Sequence, residues 1–168
     1  MVLKLFIILS VLYSTSVDVP SLYSHTKKKT DKILRKYWEN DEYHLVRSEL
    51  SGIHQPEIYA VQHGDAKPYA FIIFDEAASK VDTFIYMVIF KPDGVIDNVS
   101  VLLYKENYGG EIASKRFLKQ FEGKSAGLNM EYKQDIDGIS GATISVQAIT
   151  LGVRKNSLTF SKIKEQLQ

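Results

Sequence analysis

The chain of 168 residues contains no cysteine. That single absence removes disulfides, thiolate metal sites, thiol nucleophiles and cysteine-borne lipid anchors. An excess of charge of one sign is missing too, with 21 Lys and Arg against 20 Asp and Glu and a formal net charge of +1. A polyanionic backbone is held by a basic field, so nucleic acid is not an expected partner. No apolar run reaches the roughly 20 residues that a membrane-spanning helix needs. There is no GxSxG elbow, no GxxxxGK[ST] phosphate loop and no HExxH, and His25, His44, His54 and His63 fall at no spacing that sets two on one helical face. Triad hydrolysis, P-loop chemistry and zinc catalysis have no footing here. The acidic pairs Asp41-Glu42 and Asp75-Glu76 read as turn or surface charge, because adjacent residues of a strand point to opposite faces.

What the chain does have is apolar material for a core. Hydrophobic residues make up 45% of it, with ten tyrosines and eight phenylalanines, enough for one folded domain rather than a disordered tail. The first residues stand apart. In MVLKLFIILSVLYSTS one lysine precedes an apolar run from Leu5 to Tyr13, and small residues follow at Ser14 and Ser16. This reads as an export signal cut after Ser16, with an uncleaved anchor as the alternative. Residues 1–16 are therefore set aside, 17–60 are read as an N-terminal helix and first strand, and 61–168 as the core of the domain.

Along that chain Thr30 reads as the cap of a helix from Asp31 to Trp38, with Ile33, Leu34, Tyr37 and Trp38 on one face. Lys27-Lys28-Lys29 before it is either a solvated lead-in or a patch for an acidic or membrane partner. Strand-like runs follow at Tyr43–Leu50, Glu57–His63, Pro68–Asp75, Thr83–Phe90 and Val95–Tyr104, separated by turn chemistry such as Pro92-Asp93-Gly94. Short connections predict antiparallel neighbours. TFIYMVIF, Thr83–Phe90, is apolar on both alternating faces and belongs in the middle of a sheet covered on both sides. A helix over Ile112–Phe121 would bury Ile112, Phe117, Leu118 and Phe121 and expose Lys115, Arg116 and Lys119. Ile144–Lys155 alternates like a strand and then slips phase; a helix with Ile144, Ala148 and Leu151 on its apolar face absorbs the slip without a bulge. The expected fold is α+β, a strongly bent antiparallel sheet of about five strands with flanking helices.

Two stretches carry candidate chemistry. In Glu106-Asn107-Tyr108-Gly109-Gly110-Glu111 two glycines after a strand allow a sharp turn and close approach of another group, or simply a connection. In Ser140-Gly141-Ala142-Thr143 small residues lead into a helix start, whose free N–H groups and dipole suit a phosphate. The plain alternative is that Ser140 or Thr143 caps the helix through its hydroxyl.

The run Asp137-Gly138-Ile139-Ser140-Gly141-Ala142-Thr143 resembles the D-x-x-[ST]-G-A-T sequence by which a flavin transferase recognises FMN-binding domains, as in flavinylated subunits of sodium-pumping NADH:quinone oxidoreductase and of Rnf-type complexes. Glu106–Ile112 is similar to the glycine-containing element before the first flanking helix of that family, and Phe121-Glu122-Gly123-Lys124 to its end. The resemblance runs from about Asp82 to Lys155. It implies that Thr143 is esterified by FMN through the phosphate, that the transferase takes FMN from FAD and releases AMP, and that Asp137, Ser140, Gly141 and Ala142 serve recognition. Tyr108, Gly109 and Gly110 then border the flavin, with the Tyr108 ring as a stacking partner. Together with the export signal read at residues 1–16, it implies an electron carrier in the periplasm or cell envelope rather than a substrate-converting enzyme, read as stand-alone because the longer membrane helix of the family's pump subunits is not evident here, with the transferase and a redox partner, such as a membrane electron-transfer protein, as its partners. A non-flavin binding module in which SGAT is only a cap is the competing reading.

Overall fold

A computed structural model of the chain describes residues 21–39, 42–48, 56–64 and 66–167. Five strands follow one another in chain order across one sheet: β1 (His44–Arg47), β2 (Glu57–Gln62), β3 (Ala70–Ala78), β4 (Thr83–Phe90) and β5 (Ile96–Leu103). Every neighbouring pair is antiparallel. The architecture is an open α+β meander. Its turns use the residues expected of them: at Lys91–Val95, Gly94 takes a φ of 96° and its N–H donates to the Lys91 carbonyl over 2.9 Å. The β4–β5 ladder changes register twice, between Ile85 and Tyr86 and between Ile89 and Phe90. Such irregularities bend a strand.

β4 coincides with the run read from the sequence and lies inside the sheet. Its side chains divide by parity. Phe84, Tyr86, Val88 and Phe90 enter one core with Phe71, Ile73 and the apolar side of the last helix. Ile85, Met87 and Ile89 enter a second core with Ile72, Phe74 and Leu34 of the first helix. A strand buried on both faces needs two covering layers, and the two long helices supply them.

The first helix, α1 (Leu22–Tyr37), begins nine residues earlier than the Thr30 cap predicts, and its N-cap is Ser21, whose Oγ accepts from the Ser24 N–H over 3.0 Å. Thr30 is instead buried mid-helix beneath Thr26, and Thr26 Oγ1 donates to the Leu22 carbonyl over 2.7 Å. The inward stripe Thr26, Thr30, Leu34 has i, i+4 spacing but is polar for two of its three positions, which hid the first half of the helix from a hydrophobicity pattern. Glu57 of β2 adds a cap from outside the helix, its carboxylate accepting from the Leu22 and Tyr23 N–H groups at 2.8 and 3.3 Å.

The helix expected over Ile112–Phe121 is broken into a 3-10 turn Gly110–Ala113, a single α turn, α2 (Lys115–Leu118), and a second 3-10 turn Lys119–Phe121. Ser114, extended at ψ 139°, interrupts it. The predicted faces survive the break: Ile112, Phe117, Leu118 and Phe121 are buried, while Lys115, Arg116 and Lys119 are exposed.

The last helix, α3 (Thr143–Ile163), is a helix as expected but turned. Ile144 and Leu151 are 50% and 66% exposed, and the inward stripe is Val146, Ile149, Thr150, Val153, Asn156, Ser157 and Phe160. Polar residues hold positions that a composition rule gives to the surface. Gly152 explains the close docking, since the Tyr86 hydroxyl lies 2.2 Å from where a Cβ would stand.

Candidate functional site

The glycine turn after β5 and the segment before α3 meet. Gly109 is buried in the left-handed region at φ 83°, and a Cβ built on it would lie 2.6 Å from the Tyr104 hydroxyl and 3.6 Å from the Ala142 Cβ. Both the conformation and the contact require glycine. Gly110 is different, with nothing within 4 Å of its Cβ position. Its side of the turn is open.

Tyr104 ties the two segments. Its hydroxyl donates to the Tyr108 carbonyl over 2.9 Å and lies 3.2 Å from Ser145 Oγ in the first turn of α3. Neither residue stood out in the sequence; a tyrosine at a strand end and a serine two places after Thr143 are the signals that were there. On the other flank Gln120 Oε1 accepts from the Asp137 N–H over 2.7 Å. Gly138 passes close to the Tyr132 ring, 3.1 Å from a would-be Cβ.

The segment then turns into α3. Gly141 has φ 83° with open space around it, Ala142 is buried at 4% exposure, and Thr143, the first helical residue, is exposed. The N-cap is Ala142 and makes no side-chain hydrogen bond to the helix. The alternative in which Ser140 or Thr143 acts as a hydroxyl cap is not what the helix start shows: the bend places alanine at the cap position and Thr143 inside the first turn. The first N–H groups of α3 have no side-chain acceptor among the described residues, and the Ala142 carbonyl accepts the first helical bond from Val146 over 2.9 Å. An uncapped helix start beside an exposed hydroxyl, reached over small residues, fits a phosphate group. The residues present are thus compatible with the phosphate end of FMN.

The structure brings together Gly109, Gly110, Ala142 and the start of α3. Ser140 and Asp137 are exposed on the same segment, and Tyr108, 85% exposed, projects its ring into solvent from the glycine turn. Glu106 fixes the approach to that turn. Its carboxylate accepts from the Ser79 hydroxyl and from the Val81 and Asp82 N–H groups, the last two at 2.8 and 3.1 Å. The Ser79 bond first, then the Val81 bond, hold its pKa below the usual glutamate range.

Farther along α3 the Tyr86 hydroxyl donates to Asp75 Oδ2 over 3.0 Å and accepts from Asn156 Nδ2 over 3.0 Å. Asp75, read as surface charge, is half-buried and belongs to this link between α3 and the sheet. Burial, with the Asp75 charge, pushes the Tyr86 phenol well up. Among the described residues no group of three or more His, Asp or Glu side chains could hold a metal ion, and no helix is long and apolar enough to cross a membrane.

No curated protein matches the chain. The fold is similar to the crystal structure of one component of the Na(+)-translocating NADH-quinone reductase from Parabacteroides distasonis, with a TM-score of 0.54 and 19% identity over 86% of this chain and 97% of that one. The profile of the FMN-binding domain family matches residues 80–156, from the turn before β4 through the Gly109 turn and most of α3.

Proposed function

We propose that the protein is an exported electron-transfer flavoprotein that carries FMN on Thr143 as a phosphoester. The observation that carries this reading is the start of α3: an exposed threonine in the first turn, free of any side-chain cap, within a segment packed on the glycine turn. Thr143 Oγ would form the bond to the FMN phosphorus while the pyrophosphate bond of FAD breaks, and the hydroxyl proton and AMP depart. The helix start would then hold the phosphate charge. Gly141 and Ala142 leave room for the transferase active site. Gly110 and the exposed Tyr108 ring border the space open to the isoalloxazine. Bound FMN supplies the electron-transfer chemistry, and the chain positions and tunes it. The likeness to a component of a redox complex supports electron transfer as the use to which the flavin is put. Residues 1–16, read as a signal, agree with a transferase that acts outside the cytoplasm.

The test is flavin fluorescence on a denaturing gel after production with an active flavin transferase. Wild type should fluoresce, and Thr143→Asn and Thr143→Ala should fold and remain dark. Fluorescence lost from wild type on denaturation but present before it would mean FMN held without the ester. No flavin in wild type under any condition would leave the chain a binding module.

A further inference from the structure

A second feature has no part in the flavin site. A groove of about 1160 Å³ runs between α1, the outer edge of β5 and the α2 segment. Six lysines line it, Lys28, Lys29, Lys32 and Lys36 from α1 and Lys115 and Lys119 from the opposite wall, against one carboxylate, Glu122. All six are exposed, and none forms an ion pair among the described residues. Lys27, the remaining member of the triple-lysine run, turns elsewhere and pairs with Asp31 at 2.5 Å. Sequence alone left that run as either a solvated face or a docking patch. The helix divides it, and two of its three lysines point into the groove.

The floor shows what shape of ligand the groove takes. Every residue from Asn98 to Leu103 lines it. Alternate side chains of a strand point to opposite faces, so six consecutive lining residues mean that the groove follows the strand's edge. β5 is the last strand of the sheet. Ile96 pairs outward with the 123–124 turn through two backbone bonds of 2.8 Å, and beyond it no backbone partner meets this edge among the described residues. Half-buried Ile33 and Leu103 add apolar surface beside the lysines.

We propose that this groove binds an extended acidic segment of a partner protein, added to β5 as a sixth strand. The edge supplies main-chain hydrogen bonds, the apolar floor takes alternate side chains, and the lysines pair with carboxylates. An anionic membrane could satisfy the lysines but not the free edge, which decides between the two partners. The groove also contains Ala113, the end of the 3-10 turn that begins at Gly110, so a partner seated here lies beside the glycine turn.

The experiment titrates the full chain with a labelled peptide of alternating glutamate and valine, with vesicles of phosphatidylcholine and phosphatidylglycerol in parallel. The peptide should bind more weakly as salt rises. Lys28→Glu/Lys32→Glu/Lys36→Glu, with unchanged circular dichroism, should weaken binding at least about tenfold, while Lys27→Glu changes it less than about twofold. In hydrogen exchange, amides between Asn98 and Leu103 that are open in the free chain should become protected by the peptide. Absence of binding, indifference to the triple reversal, binding without protection of β5, or association with the vesicles alone would each overturn the proposal.

Discussion

Gly109 and Gly110 are adjacent and chemically identical, yet they do different work. Gly109 is held at a positive φ against the Tyr104 hydroxyl, and Gly110 faces open space. An alanine at Gly109 must adopt a left-handed conformation and push Tyr104 off Ser145, which should destabilise the fold by about 1–2 kcal/mol in denaturant titration. Gly110→Val should leave stability within about 0.5 kcal/mol and lower flavin incorporation. If Gly110→Val incorporates flavin as wild type does, the open side of the turn is not where the flavin lies. The pair was legible in the sequence as a turn. Which glycine is constrained was not, because that depends on a tyrosine five residues earlier and an alanine more than thirty residues later.

At the scale of elements, the Glu106 carboxylate clamps the β3–β4 connection to the segment that leads into the glycine turn. Its pKa is depressed in the folded chain, chiefly by the Ser79 hydroxyl bond. The clamp is therefore complete above the ordinary glutamate range and is lost as pH falls through the depressed value. Amide exchange at Val81 and Asp82, corrected for intrinsic rates, should accelerate over that acid window in wild type and be fast at every pH in Glu106→Ala. Exchange in wild type that stays slow through the acid range would remove the clamp. Helix α3 makes a second prediction. Gly152→Ala sets a methyl 2.2 Å from the Tyr86 hydroxyl, inside a contact already closed by Asp75 and Asn156. Overpacking of this kind costs about 1–3 kcal/mol, measurable by thermal or chemical unfolding. These elements also show how far sequence patterns reach. The strands were readable because their alternation and turn residues agree with what the sheet does to them. The turned face of α3 was not, since Asn156 and Ser157 are buried and Ile144 and Leu151 exposed, the reverse of what hydropathy assigns. The start of α1 was hidden for the same reason, its inward stripe being threonine.

For the whole molecule, the sheet separates two surfaces. α3 covers one face and carries Thr143 at its start, with the glycine turn packed on Ala142. α1 covers the other and presents its lysines along the β5 edge. If the proposed flavin site and the proposed partner groove both hold, they would adjoin at the 3-10 turn from Gly110 to Ala113, whose last residue lines the groove. The most direct measurement of the central claim is the intact mass of the protein produced in an exporting host with an active flavin transferase. The account predicts a chain beginning near Val17 that carries the mass of one FMN less one water, with the increment absent from Thr143→Asn. A wild-type mass without the increment, or an increment that survives in Thr143→Asn, would contradict it.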